Sequence, residues 1–170
     1  MDLSKYIRNI PNFPKPGILF KDITPLLADT KAYRVAIEQM VKFYEHREID
    51  AISAAEARGF LFAAPMAYLM NKPLVPLRKP GKLPYQTHKL QYDLEYGQAE
   101  LQVHIDGFDA GAKVLLVDDL LATGGTLEAA CKLIEQAGAK VVSCAVLVEL
   151  SFLLGREKLV PHEVFSLIRY

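Results

Sequence analysis

Residues 114–126 read Val-Leu-Leu-Val-Asp-Asp-Leu-Leu-Ala-Thr-Gly-Gly-Thr, and no other stretch of the chain restricts its fold as strongly. The apolar run suits a strand covered on both faces. Two carboxylates follow, then a glycine-rich turn. A run from about residue 126 to 136 comes next, with Leu127, Ala130, Ile134 and Ala137 at helical spacing and Gly138 as its natural stop. A buried strand that feeds a helix through a short turn belongs in a parallel sheet. The turn also carries chemistry. Gly124 and Gly125 let a ligand approach the backbone, N–H groups at a helix start hold phosphate, and Thr123 and Thr126 add hydroxyls. Asp118 and Asp119 are costly in such a place unless paired, solvated or bound. Alone, the pair reads as a solvated strand end with one helix-capping Asp. Beside this turn it reads as an acceptor for ribose hydroxyls, directly or through a divalent metal. The motif suits a sugar phosphate.

The rest of the chain extends the pattern. Apolar runs at 49–54, 74–77 and 141–148 read as strands. They alternate with helical spacing over about 30–47, where Tyr33, Ile37, Met40, Val41 and Tyr44 share a face and Asp29 or Thr30 caps the start, and over 60–70. Pro65 is tolerable there only near the first turn. This alternation implies an α/β fold, a mostly parallel central sheet flanked by helices. Ligands in such folds sit beyond the carboxyl ends of the strands, so the turn 56–59 and the turn 118–126 should converge. Two regions depart from the pattern. Residues 1–28 contain Pro11, Pro14, Pro16 and Pro25 and read as irregular, yet Phe13, Ile18, Leu19, Phe20, Ile23, Leu26 and Leu27 need burial. The segment should wrap over the core or a ligand. Residues 78–97 form a polar, breaker-rich excursion, expected to be a functional or disordered loop, before an alternating strand pattern over 100–105.

At 170 residues the chain is the size of one domain, here 1–170, with no repeat or linker. The net charge of zero argues against a general nucleic-acid binder. No apolar run is long enough for a membrane, and no signal peptide is visible after Asp2, Lys5 and Arg8. Cys131 and Cys144 lack metal-ligand spacing and read as core residues of a reduced, cytoplasmic protein. His46, His88, His104 and His162 have no such spacing either, though His88 falls in the excursion. The glycine-containing turn at 107–113 precedes a strand, so it reads as a turn and not a phosphate loop.

The acidic pair with its Thr-Gly-Gly-Thr turn resembles the phosphoribosyl diphosphate signature of the type I phosphoribosyltransferases. Ala57-Arg58-Gly59 looks like that family's diphosphate loop, with Ala57 where Ser is frequent. Four further stretches narrow the resemblance to adenine-using members: Pro-Gly-Ile-Leu-Phe-Lys-Asp-Ile at 16–23, Arg-Lys-Pro-Gly-Lys-Leu-Pro at 78–84, Leu-Glu-Tyr-Gly at 94–97 and Gly-Arg-Glu-Lys-Leu at 155–159. The likeness runs from about residue 5 to the end. It implies that family's fold, with an N-terminal hood (1–28) over the base and a long flexible catalytic loop (78–100).

The resemblance also implies roles. Asp118 and Asp119 take the ribose hydroxyls, and Ala122, Thr123, Gly124, Gly125 and Thr126 hold the 5′-phosphate. Ala57 and Arg58 grip the diphosphate, with Arg78, Lys79 and Lys82 as further cations near it. Phe20 stacks on the purine, and the backbone around Leu19 reads its edge. Lys21 stands where Arg is frequent, keeping the cation but losing bidentate geometry. Glu95 transfers the purine proton, and Tyr96 helps the loop close. Arg58 and Lys79 join Glu95 as catalytic groups by stabilising the leaving diphosphate. The implied reaction is purine salvage: adenine and 5-phosphoribosyl 1-diphosphate give AMP and diphosphate. Mg2+ would be held mainly by substrate, with Asp118 and Asp119 as candidate ligands. A homodimer is implied as well. Two alternatives stay open: a transferase for another purine such as hypoxanthine or xanthine, and a non-catalytic sensor of phosphoribosyl diphosphate. The sensor would need an appended DNA-binding segment or an impaired loop, and neither is read here.

Overall fold

The apolar runs become the inner strands of a parallel sheet, in a computed structural model that describes residues 1–93 and 97–170. In chain order the elements are β1 (Arg8–Pro11), β2 (Leu19–Asp22), α1 (Thr24–Ala28), α2 (Thr30–Phe43), β3 (Ala51–Ala55), α3 (Gly59–Met70), β4 (Leu74–Leu77), β5 (Thr87–Asp93), β6 (Gln98–His104), β7 (Lys113–Leu121), α4 (Gly125–Gln136), β8 (Lys140–Glu149) and β9 (Glu163–Arg169). The central sheet has the order β4-β3-β7-β8-β9, and its neighbouring strands pair parallel. From β3 the chain steps outward to β4, then returns to β7 on the other side of β3. The order therefore reverses between β3 and β7, which opens a crevice at the carboxyl ends of those two strands.

Side-chain alternation explains why these strands read as unbroken apolar runs. Ile52, Ala54, Leu115, Val117, Ala145 and Leu147 face a core shared with α2 and α3. Ala51, Ala55, Val114, Leu116, Cys144 and Val146 face a second core shared with α4. Both faces are covered, so no polar alternation survives. Cys131 and Cys144 are both buried there as free thiols, sharing a hydrogen bond of 3.7 Å between their sulfurs. Buried hydroxyls find partners: Ser53 Oγ donates to the Val75 carbonyl at 2.8 Å, and Tyr44 and Ser143 share a hydrogen bond of 2.8 Å.

Several expectations need correction. The region 1–28 is not irregular: β1 and β2 form an antiparallel hairpin around Pro14 and Pro16, and α1 follows with Pro25 in its first turn. Pro14 and Pro16 sit in the connection, Pro25 sits at the helix start, and Pro11 ends β1. Helix α2 is capped by Asp29, which accepts the Ala32 N–H at 2.8 Å, but it ends at Phe43 and not near 47, because Tyr44 turns inward to meet Ser143. Ala32 and Ala36 are buried on its core face, while Tyr33 and Val41 are half-buried. Pro65 lies well inside α3, beyond its first turn. Its missing N–H frees the Leu61 carbonyl, which accepts the Tyr33 hydroxyl instead. The excursion after Arg78 is largely an antiparallel hairpin, β5 with β6. The sequence alternates only briefly there, but Leu90 and Tyr92 pack against the α4 core and hold β5 in place. Strand β7 runs through Asp118 and Asp119 to Leu121, so the carboxylates sit in the strand and not after it. β9, which the sequence reading lacked, closes the sheet beside β8.

Candidate active site

Two helix starts face each other across the crevice. α3 begins at Gly59 after a turn with a cis Glu56–Ala57 peptide, and α4 begins at Gly125 after Gly124, whose φ is +84°. Neither start carries a side-chain cap. Both therefore present the positive end of a helix dipole, although at α3 the Phe60 and Leu61 N–H groups already donate to the Ala57 and Arg58 carbonyls at 3.2 and 3.1 Å. Between them lies a polar cavity of about 250 Å³, lined by Glu56, Ala57, Arg58, Asp118, Asp119 and residues 120–127. The two turns converge here, as expected from the fold class. Glycine is required at the contact points. A Cβ on Gly59 would lie 3.0 Å from Asp118 Oδ1, and one on Gly124 would lie 2.5 Å from the Gly155 carbonyl oxygen.

The carboxylates of this cavity are poorly compensated. Asp118 Oδ1 accepts the Asp119 N–H at 2.8 Å. Burial, reinforced by the Asp119 charge, pushes the Asp118 carboxyl well above the usual range. Burial also raises Asp119, against the opposing pull of Arg58. Arg58 Nε approaches Asp119 Oδ2 to 3.0 Å, but that buried oxygen receives no directed hydrogen bond. An unsatisfied buried carboxylate oxygen calls for a ligand that donates, such as a sugar hydroxyl, or for a cation. The donor set for a metal is thin. Among the described residues, no three His, Cys, Asp or Glu side chains gather as metal ligands. A divalent ion here would draw most of its oxygens from a bound phosphate and water.

An apolar cavity of about 540 Å³ adjoins the polar one and shares Leu120, Ala122 and Thr123 with it. Its other walls are residues 17–21 of the β1–β2 hairpin and Leu150, Phe152 and Leu153 beyond β8. Leu19 and Phe20 thus line a space suited to a flat apolar ring. Phe20 meets Phe13 edge-on at 5.1 Å, and the Arg58 guanidinium stands 5.7 Å from its ring centre, which links the two cavities. Lys21 is buried. Its Nζ donates to Asn9 Oδ1 at 2.8 Å and sits 3.6 Å over the Tyr170 ring. That charge is already partnered inside the hairpin.

The remaining cations are placed unevenly. Arg78 Nε donates to Glu56 Oε2 at 2.7 Å, which holds the Glu56 carboxyl below its usual range despite desolvation. The Lys79 N–H donates to the other Glu56 oxygen at 3.1 Å, and Lys79 also lines a third cavity against Gln91, Tyr92, Gln98 and Glu100. Lys82 is exposed and lines none of these three cavities. Glu95 and Tyr96 lie outside the described residues. Leu150, Phe152 and Leu153 of the apolar wall, and Gly155 packed against the Ala122–Gly124 turn, were missed as site residues. A run of apolar residues just past the end of a buried strand, next to β7 in a parallel sheet, was the available signal.

Comparison with known proteins agrees with this geometry. A family model for the phosphoribosyl transferase domain matches residues 23–166. The chain is 51% identical over 170 residues to an adenine phosphoribosyltransferase of Rhodopirellula baltica, covering all of this chain and 82% of that one. It is 54% identical over 164 residues to the same enzyme of Methylococcus capsulatus, covering 96% of each. The crystal structure of adenine phosphoribosyltransferase from Thermoanaerobacter pseudethanolicus superposes with a TM-score of 0.96 at 51% identity, covering 99% of this chain and 98% of that one. The Saccharomyces cerevisiae enzyme, solved with an imino-altritol bisphosphate and adenine, gives 0.91 at 36% identity, covering 98% and 96%.

Proposed function

Because the chain belongs to the adenine phosphoribosyltransferases of the type I phosphoribosyltransferase family, we propose that it joins adenine to 5-phosphoribosyl 1-diphosphate, giving AMP and diphosphate. The observation that carries this reading is the adjacency of the two cavities. A polar one between two uncapped helix starts meets an apolar one behind an aromatic hairpin, and Leu120, Ala122 and Thr123 form their common wall.

The purine lies in the apolar cavity against Phe20, with the backbone near Leu19 at its edge, so the hairpin within 1–28 acts as the hood. The 5′-phosphate takes the α4 start, from Ala122 to Thr126. Asp118 and Asp119 accept from the ribose hydroxyls, which answers the unsatisfied Asp119 oxygen and stabilises positive charge growing on the sugar. The diphosphate takes the α3 start, where Ala57 supplies backbone contacts and Arg58 turns from Asp119 to the leaving group. The purine nitrogen forms the bond to the anomeric carbon, and the electron pair of the broken C–O bond leaves with diphosphate. Mg2+, bound mainly through the substrate, supplies charge neutralisation on that diphosphate. Lys79 adds to it from the segment 78–100, which closes over the reacting sugar and excludes water. Glu95 takes up the purine proton, and Tyr96 assists closure. We place the reaction in the cytoplasm, in a homodimer. Among the described residues no helix is long and apolar enough to cross a membrane.

The test is diphosphate release with Mg2+ and phosphoribosyl diphosphate, comparing adenine, hypoxanthine, guanine and xanthine. Turnover with adenine is expected. Turnover with another base alone would overturn the assignment of Leu19 and Phe20, and binding without turnover would favour a sensor. Glu95→Leu should lower the single-turnover rate; an unchanged rate removes its proton-transfer role.

A further inference from the structure

Glu149 is a buried carboxylate at the end of β8, and Arg156 is bound to it seven positions later. Arg156 Nε donates to Glu149 Oε1 at 3.0 Å and Nη2 to Oε2 at 2.6 Å, a two-pronged pair. Arg156 Nη1 donates to the Val164 carbonyl at 2.7 Å, and Nη2 also reaches Ser166 Oγ at 3.2 Å. Ser166 donates to Glu149 in turn, and Arg169 stands 3.4 Å from the same carboxylate. These contacts staple the two ends of one short loop together and fix both to β9.

That loop serves both cavities. Leu150, Phe152 and Leu153 wall the apolar one. Gly155 backs the phosphate turn so closely that an added Cβ would overlap the Ala122 carbonyl and come within 3.0 Å of the Gly124 N–H nitrogen. Leu154 is held at φ +54°, a left-handed backbone that leucine keeps only when its surroundings impose it. Glu149 is buried but the Arg156 side chain is 38% exposed, and a partly solvated ion pair adds little stability. Its effect here is geometric.

We propose that Glu149 and Arg156 form a clasp of positioning residues that holds the loop 150–155 and so sets the base wall and the phosphate turn at a fixed separation. Neither touches substrate; each acts through the loop. The proposal rests on the adenine phosphoribosyltransferase reading, and turnover by the parent protein checks that reading separately.

The experiment measures kcat and both KM values for the parent, Arg156→Met, Arg156→Lys and Ser143→Ala. Ser143 lies outside the site, and its loss removes its hydrogen bonds with the Tyr44 hydroxyl and the Glu163 carbonyl at the start of β9, neither of which touches residues 150–155. Arg156→Met is expected to raise KM for adenine and for phosphoribosyl diphosphate together by about tenfold, with a smaller change in kcat, as small misplacements of binding groups do. Arg156→Lys keeps the charge but not the fork, and should fall between Met and the parent. Ser143→Ala should lower the melting temperature and move neither KM. KM values in the Arg156 variants that stay within about twofold of the parent overturn the clasp, as does a rise in only one of them. Should the Met variant not fold, the Lys variant decides by the same criterion.

Discussion

The two adjoining cavities share three residues and are built in opposite ways. The polar cavity takes its lining from two nearly contiguous runs, 56–58 and 118–127. The apolar cavity gathers residues 17–21, then Leu120, Ala122 and Thr123, then Leu150, Phe152 and Leu153, from three distant parts of the chain. Ligand chemistry explains the contrast. A phosphate needs several N–H donors in fixed mutual geometry, and consecutive backbone at a helix start supplies them. A flat base needs walls, which any segments brought to the strand ends can provide. The polar cavity is also electrostatically unfinished, with two desolvated carboxylates raised above their usual range, whereas the buried lysine lining the apolar one donates to Asn9 and sits over the Tyr170 ring.

The strongest way to break this comparison is to neutralise the polar cavity. Asp118→Asn with Asp119→Asn should lower kcat/KM for phosphoribosyl diphosphate about a thousandfold or more. The same change should raise the melting temperature at neutral pH. Both folded carboxyls are raised, so their ionised forms are penalised in the fold above the usual carboxylate range, and the amides remove that penalty. A chain this size gains about 2–4 °C per kcal/mol. Loss of activity together with loss of stability would contradict this electrostatic reading. Gly155→Ala comes next. Its Cβ meets the Ala122 carbonyl, so the phosphate turn or the base wall must move, and KM for phosphoribosyl diphosphate should rise about tenfold.

Phe20→Ala sharpens the comparison from the other side. Removing a stacked ring should raise KM for adenine about tenfold. KM for phosphoribosyl diphosphate should change by no more than about threefold, the scale of the lost Arg58–Phe20 contact. The smallest effect is on pH. The hydrogen bond from Arg156 holds the Glu149 carboxyl below its ordinary 4.5. Its pairing therefore stabilises fully above about pH 4.5 and is lost as pH falls through the depressed value. Thermal unfolding between pH 3 and 6 should show a shallower acid loss in Arg156→Met than in the parent.

The same contrast explains what could be read from the sequence. Asp118 to Thr126 announced both a sheet position and a ligand, because its chemistry is local. Arg58 by itself reads as a surface turn, and only the resemblance of Ala57-Arg58-Gly59 to a diphosphate loop marked it as a site residue. The hairpin of residues 8–22 was hidden because Pro11, Pro14 and Pro16 read as breakers, although Pro14 and Pro16 lie in the connection and Pro11 only ends β1, opposite Leu19, on a two-stranded sheet where a strand edge tolerates it. β5 was hidden because its cover comes from α4, far along the chain. Leu150, Phe152 and Gly155 carry no chemical signature, and only the β7–β8 pairing brings them to the site. Likewise, nothing local to Arg78 or Lys21 reveals that Glu56 and Asn9 already hold their charges.

The most direct measurement is calorimetric titration of phosphoribosyl diphosphate with Mg2+, in the absence of base, into the parent, Phe20→Ala, and the Asp118→Asn, Asp119→Asn double variant. If the cavities divide the ligands as described, Phe20→Ala binds like the parent and the double variant loses binding. Parent-like binding by the double variant, or its loss in Phe20→Ala, would contradict that division.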